Sequence, residues 1–156
     1  LATDVLDKEM DVKNKKILVV GSGMTGLETA EYLAEKGNEV TVVEMVKEIG
    51  PGVHGSVLYD ITTRLKKYGV EMIPRRQLVG IDKERAYVLN TFNNEKIAME
   101  ADYVVLSLGV GSVANSQFVQ ELEENFNNIR ILGDASRPGK ISNATQTGFD
   151  LAYTLE

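Results

Sequence analysis

Six consecutive residues with the spacing Gly-x-Gly-x-x-Gly offer the clearest chemistry in this sequence: Gly21, Ser22, Gly23, Met24, Thr25 and Gly26. They follow a short apolar run and precede a helical pattern, which is the context that a phosphate-binding turn needs. Gly21 allows a tight turn, Gly23 lets the backbone approach a pyrophosphate, and Gly26 lets the helix pack closely on the strand. Free N–H groups and the positive end of the helix dipole would then hold the phosphates.

An acidic residue follows at the distance that this kind of site requires. Glu44 comes directly after the β-branched run 40–43, about 20 residues beyond the glycine motif. A carboxylate there can accept hydrogen bonds from the adenosine ribose hydroxyls, whereas a 2′-phosphate would meet its negative charge. Positions 45–50 contain no arginine, and Lys47 is their only cation. The sequence therefore predicts that NAD(H) binds in preference to NADP(H).

Short strands and amphipathic helices must position these residues. The runs 17–20 and 40–43 suit buried parallel strands, and the helical pattern between them ends at Gly37. A second helix over about 58–68, ended by Gly69, leads to a third strand at 70–73. The runs 77–81, 86–91 and 96–99 predict three short antiparallel strands, and 103–108 returns to the parallel sheet.

These elements predict an α/β fold: a Rossmann-like parallel sheet with helices on both faces and a three-stranded antiparallel meander as one crossover. Residues 1–12 are interpreted as a connector and 13–112 as an NAD(H)-binding Rossmann domain. Beyond them the pattern predicts a helix over 117–124, a strand at 129–132 and a last helix over about 144–155. Ser142 or Asn143 would cap that last helix.

Composition excludes several classes of protein. The 156 residues are 43% hydrophobic and 26% charged, as in a globular domain, with a formal net charge of −6. That acidity disfavours nucleic-acid binding, and no apolar run is long enough to span a membrane. Without cysteine the chain cannot form disulfides or ligate an iron–sulfur cluster through its own thiolates. We expect a cytoplasmic protein.

Three other features have simpler interpretations. Gly109 begins a second Gly-x-Gly-x-x-Ala pattern, but no amphipathic helix follows, so we interpret it as a loop that passes the cofactor. His54 is the only histidine, and we expect an exposed loop residue there rather than a metal ligand or a triad member. The acidic cluster Glu121, Glu123 and Glu124 fits a solvated helix face. We predict no metal site and no catalytic acid, base or nucleophile.

The ordered set of motifs resembles a known family. Residues 15–44, the meander, and the run 102–109 are similar in order to the NAD(H)-binding domain of FAD-dependent pyridine nucleotide oxidoreductases. The segment 131–135, continued through Ala144 and Gly148, resembles the flavin-side Gly-Asp motif of that family and its following helix. The sequence of residues 133–141 is most similar to the C-terminal region of the NADH:flavin oxidoreductases of the 2-enoate reductase, 2,4-dienoyl-CoA reductase and trimethylamine dehydrogenase group.

This resemblance implies a flavoprotein of which part is missing. Asp134 would bind the ribityl chain of FAD or its counterpart nucleotide, and Gly133 would give the backbone access. Residues 113–156 would be the C-terminal segment of a split flavin-binding domain. The first dinucleotide motif, the FMN-binding barrel and the cysteine-bound cluster of this group have no counterpart here. The remaining flavin and catalytic domains of the same polypeptide would therefore be partners, holding most of the FAD or FMN, and we expect no turnover by this chain alone.

Two other interpretations stay open at this point. Nucleotide-sensing regulatory domains of potassium transport systems share the glycine motif, the following acid and a later Gly-Asp-Ala, although they usually keep helical crossovers. A dinucleotide fold whose ligand site has become structural is the third. An unpaired sheet edge in the halved domain would favour a homodimer.

Overall fold

The computed structural model describes residues 1–7 and 11–154, which form two compact units, Leu1–Gly109 and Val110–Glu156. The first unit contains the parallel strands β1 (Lys16–Val20), β2 (Glu39–Val43), β3 (Glu71–Ile73) and β7 (Tyr103–Leu106), the meander strands β4 (Arg76–Ile81), β5 (Arg85–Asn90) and β6 (Lys96–Glu100), and the helices α1 (Ala2–Asp7), α2 (Met24–Glu35) and α3 (Gly55–Lys67). The predicted α/β class is confirmed.

The main sheet has the order β3-β2-β1-β7 and is parallel throughout. Strand β1 lies between β2 and β7, so that Ile17 pairs with Val40 on one side and with Tyr103 on the other. The chain crosses from β3 at one edge to β7 at the other through the antiparallel sheet β4-β5-β6. This is the predicted crossover by a meander.

The two faces of the main sheet are covered differently. Ile17 and Val19 face one core cluster with α1, α2 and α3, whereas Leu18 and Val20 face a second cluster with the meander. This division follows from the alternation of side chains along a strand. Within this unit the helices therefore occupy one face, and the second face, where helices were also predicted, carries the meander instead.

Glycines end the helices where the sequence predicts. Gly37 follows α2 with φ +85°, and Gly69 follows α3 with φ +73°, both in the left-handed conformation that closes a helix. Helix α1, within the predicted connector, is an element that the sequence analysis does not anticipate. Its Ala2 and Val5 are buried in the helical cluster. The rest of that connector includes residues 8–10, which lie outside the described residues.

The second unit is helical in its described part: α4 (Gln117–Asn125), α5 (Gly133–Ser136) and α6 (Ile141–Thr154). The predicted strand at 129–132 is wrong, because a strand needs a neighbour for its backbone groups and no strand within 1–7 and 11–154 pairs with this segment. The predicted caps Ser142 and Asn143 lie inside α6, where Asn143 Oδ1 accepts a hydrogen bond from Lys140 N–H at 2.9 Å. The predicted end of this helix at Leu155 lies outside the described residues.

Candidate functional site

Two glycines of the motif are fixed by close backbone packing. A Cβ on Gly21 would lie 2.2 Å from the carbonyl oxygen of Ser107, and Gly21 also has φ +100°. A Cβ on Gly26 would lie 2.1 Å from the carbonyl oxygen of Gly21. Both distances are too short for any side chain, so strand β7, the turn and helix α2 meet here only because these residues are glycine. Their roles in turn formation and packing need no ligand.

Gly23 differs from its two neighbours in the motif. It is the N-cap of α2, with φ −60°, and a Cβ built on it would meet nothing within 4 Å. No side chain caps the helix. The N–H groups of Met24, Thr25 and Gly26 therefore lie in the first turn without acceptors from the helix itself. The amino end of α2 therefore offers both hydrogen-bond donors and open space for an anion.

Ser22 and Glu44 form a buried hydrogen-bond network beside that space. Ser22 N–H and Oγ both donate to Oε2 of Glu44, at 2.9 and 2.8 Å, and Oε1 accepts from Val46 N–H at 3.1 Å. Ser22 Oγ in turn accepts from Gly50 N–H at 2.9 Å. Ser22 is 0% and Glu44 5% exposed. The acid thus lies against the glycine turn and holds three segments together, a role that the sequence does not reveal, while its predicted hydrogen bonds to a ribose stay a prediction.

A groove of about 450 Å³ opens at the carboxyl ends of the parallel strands. Four of the predicted residues line it: Gly21, Gly23, Glu44 and Gly109. In open α/β sheets ligands bind at this end of the strands. Met45, Pro51 and Leu78 add apolar walls. Leu78 belongs to the meander, far from the motif in sequence, and no local signal marked it.

Two arginines that the sequence analysis did not place here also reach this end of the sheet. Arg76 N–H donates to the carbonyl oxygen of Glu44 at 2.7 Å, and Arg75 N–H donates to that of Val46 at 2.9 Å. Arg76 lines the groove. The absence of arginine from positions 45–50 is therefore no measure of the positive charge near Glu44, because β3 runs beside β2 and delivers residues 75 and 76 to its end.

The predicted flavin-side residues lie in the second unit. Gly133 has φ +54° and begins the short helix α5, and a Cβ on it would approach the Cβ of Ala144 to 3.2 Å. Asp134 Oδ1 accepts from Gly139 N–H at 3.1 Å, and Asp134 is exposed. The carboxylate therefore organises the segment that follows. Its predicted contact with a flavin stays a prediction.

The profile of the pyridine nucleotide-disulphide oxidoreductases matches residues 2–148. The chain belongs to this family. It is 32% identical over 164 residues to the NADH oxidase of Thermoanaerobacter brockii and 30% identical over 158 residues to the cinnamate reductase of Clostridium sporogenes. Each alignment covers 99% of this chain, but only 24% and 23% of the respective relative. The chain thus spans about a quarter of the curated relatives it matches.

Solved structures agree on the fold. The histamine dehydrogenase from Rhizobium sp. 4-9 superposes over 99% of this chain and 26% of its own, with a TM-score of 0.79 at 20% identity. The predicted resemblance to FAD-dependent pyridine nucleotide oxidoreductases is confirmed, and with it an oxidoreductase family that uses flavin and pyridine nucleotide cofactors. The comparisons give no support to a transport-regulatory domain.

Other polar regions of the described chain differ from this groove. A larger cavity of about 770 Å³ lies at the amino ends of the strands, where charged side chains pair with one another. Lys16 Nζ donates to Glu100 Oε2 at 2.9 Å, which raises the pKa of Lys16 and lowers that of Glu100. His54 is exposed beside Ser56, and Glu121, Glu123 and Glu124 are exposed on α4, as predicted.

The described part of the chain, residues 1–7 and 11–154, contains neither a metal-binding cluster nor a membrane-spanning helix. No cluster of three or more acidic or histidine side chains there has the arrangement of a metal site. No helix within 1–7 and 11–154 is long and apolar enough to cross a membrane.

Proposed function

We propose that this chain is the NAD(H)-binding portion of a flavin-dependent NADH oxidoreductase, and that it positions NADH for hydride transfer to a flavin held largely by other domains. One observation carries the proposal: Gly23, which has open space at its Cβ position, and the acid Glu44 line the same groove at the carboxyl end of the sheet. A pyrophosphate and an adenosine ribose require this pair of features side by side.

The residues of the groove have distinct roles in this proposal. The N–H groups of the first turn of α2 hold the pyrophosphate, with no Cβ at Gly23 to keep it away. Glu44 Oε1, which has one backbone donor, accepts from the ribose. Met45 and Leu78 offer apolar surface to the adenine ring. Gly109, with φ +80°, lets the loop after β7 pass the ligand.

The flavin supplies the redox chemistry when it is bound, and the protein orients its cofactors. By the resemblance, Asp134 and Gly133 contribute to holding that flavin, as FAD or FMN. No acid, base or nucleophile of this chain is assigned to the reaction, and we expect no turnover from the chain alone. The remaining flavin and catalytic domains of a longer polypeptide would be its partners.

The substitution Gly23→Ala tests the site without disturbing the fold. The backbone at Gly23 has φ −60°, which alanine adopts freely, and the new methyl group meets no protein atom within 4 Å. We expect only a small fall in the thermal midpoint, since alanine caps a helix less well than glycine, but a loss of NADH affinity of at least about tenfold by calorimetry, which corresponds to about 1.4 kcal/mol. Gly55→Ala is the control, because Gly55 also lies at the amino end of a helix, as the first residue of α3, and also has open space around its Cβ position.

Equal NADH affinity in the wild type and Gly23→Ala would refute a pyrophosphate at this turn. No NADH binding by the wild-type chain would favour the alternative in which the groove is a structural remnant. Equal weakening by Gly55→Ala would show that the effect is not specific to the groove.

A further inference from the structure

Arg76 occupies a decisive position on the wall of the groove. It is the first residue of strand β4. Its backbone N–H donates to the carbonyl oxygen of Glu44 at 2.7 Å, so the backbones of the two residues are in direct contact. Arg76 and Leu78 are two residues apart on one strand and therefore lie on the same face of β4. Both line the groove. Arg76 is the only cationic residue among its lining residues in the described chain, and Glu44 is the only acidic one.

The guanidinium of Arg76 has no carboxylate partner in the described chain. Its Nη1 donates to the carbonyl oxygen of Arg75 at 3.1 Å, and none of the ion pairs among the described residues includes Arg76. The carboxylate of Glu44 is turned toward Ser22 and the backbone of Val46 instead. A half-buried cation without a counter-ion favours an anionic ligand, because burial removes water that would otherwise stabilise the charge.

The neighbouring cations are already engaged. The guanidinium of Arg75 lies 5.4 Å from the ring centroid of Phe92, and Lys47 Nζ lies 3.2 Å from Glu48 Oε1. Neither lines the groove. Arg76 is therefore the cation best placed to contact a ligand whose ribose lies at Glu44.

We propose that Arg76 contacts the adenosine 2′ position of the bound dinucleotide, and that the charge of Glu44 alone keeps a 2′-phosphate out. The positive charge that NADP(H) needs is then already in place, and neutralising one acid converts the groove into an NADP(H) site. This inference rests on the proposed function, because it takes the groove to be the dinucleotide site.

The substitution Glu44→Gln removes the charge and keeps most of the local structure. An amide oxygen can still accept from Ser22 N–H and Oγ, which Glu44 Oε2 now does. Arginine at position 44 would remove that acceptor, so a loss of binding there would confuse specificity with folding. Glu44→Ser is the second neutral variant, to be used if Glu44→Gln does not unfold cooperatively.

The experiment measures NADH and NADPH affinities by calorimetry on the 156-residue chain. The variants are Glu44→Gln, Glu44→Gln with Arg76→Ala, and Glu44→Gln with Arg85→Ala. Arg85 is the matched control because it lies in the same meander but lines the cavity at the amino ends of the strands. AMP and 2′,5′-ADP, which differ by the 2′-phosphate, repeat the comparison on the adenosine end alone.

We expect Glu44→Gln to gain NADPH affinity by at least about tenfold, since a charge-assisted hydrogen bond replaces a like-charge repulsion. Arg76→Ala should reverse that gain, because the 2′-phosphate then loses its cation, whereas Arg85→Ala should leave both affinities unchanged. The inference is overturned if Glu44→Gln keeps NADH binding without gaining NADPH, or if Arg76→Ala leaves the gain intact. No NADH binding by the wild type would instead remove the proposed function, and this inference with it.

Discussion

The two units of this chain differ sharply in how well they bury their own apolar residues. In the first unit, Leu27, Leu33 and Ile61 are fully buried within one continuous cluster. In the described part of the second unit, Val119 is the only buried residue, whereas Ile141, Phe149 and Tyr153 are 87%, 65% and 83% exposed. Apolar side chains in such number at the surface mark a region suited to contacts with other protein segments.

This difference means that the chain's own residues build one of the two predicted sites more completely than the other. The groove beside Glu44 is enclosed by residues of one unit that also supplies its own core. Asp134 belongs to a unit whose described part has little core of its own, and its contact with a flavin stays a prediction.

The largest expected effect comes from truncating one large side chain in each unit. Leu33→Ala removes a fully buried side chain of α2 and should cost about 2–5 kcal/mol in the free energy of unfolding. Phe149→Ala removes an exposed ring, which stacks on Tyr153 with centroids 6.1 Å apart, and should cost less than about 0.5 kcal/mol. Denaturant unfolding followed by circular dichroism measures both, and similar costs would remove the contrast.

A smaller effect is expected from the polar residues of the two sites. Ser22→Ala deletes a buried hydroxyl that donates to Glu44 and accepts from Gly50, and should cost about 1–3 kcal/mol. Asp134→Ala deletes an exposed acceptor for Gly139 N–H and should cost at most about 0.5 kcal/mol. Chemical denaturation of both variants gives the comparison. A cost for Asp134→Ala equal to that of Ser22→Ala would mean that the second unit depends on its polar turn more than its exposure suggests.

The smallest effect concerns the acid limb of the stability profile. Asp82 accepts hydrogen bonds from Glu84 N–H, from the hydroxyl of Tyr87 and from Arg85 N–H, and these bonds lower its pKa in the folded chain. Asp82 therefore stabilises the fold above its unfolded pKa, and this contribution is lost as the pH falls through its lower folded pKa. We expect Asp82→Asn to reduce the fall in thermal midpoint at acid pH, with Tyr87→Phe intermediate. An unchanged acid limb in Asp82→Asn would exclude this turn as its source.

Much of the first unit follows from local pattern. The runs around 17–20 and 40–43 form central strands, and Gly37 and Gly69 end helices, because apolar periodicity and left-handed glycines act over a few residues. The strand predicted at 129–132 fails for the opposite reason: its β-branched residues suit a strand, but strand formation depends on a neighbour.

The site could be predicted only in part. The glycine spacing and Glu44 are local features of a βαβ unit, and Gly21, Gly23 and Glu44 line one groove, whereas their binding of a cofactor stays a prediction. The hydrogen bond from Ser22 Oγ to the carboxylate of Glu44 joins segments that are distant in sequence. The same is true of the hydrogen bond from Arg76 N–H to the carbonyl oxygen of Glu44. Ser22 Oγ accepts a hydrogen bond from Gly50 N–H, 28 residues away, and no spacing in the sequence predicts such a bond.

The crossover by the meander also determines when the sheet can be completed during synthesis. Lys16 N–H bonds to Asp102 Oδ2 at 2.8 Å, across 86 positions, and β1 pairs with β7 just beyond it. A nascent chain that has not yet reached Tyr103 therefore exposes one whole edge of β1. Until the meander has emerged, Leu18 and Val20 on the second face are also uncovered. Open edges and bare apolar faces promote association between chains. The nascent sheet therefore remains prone to such association until β7, its last strand, has been synthesised.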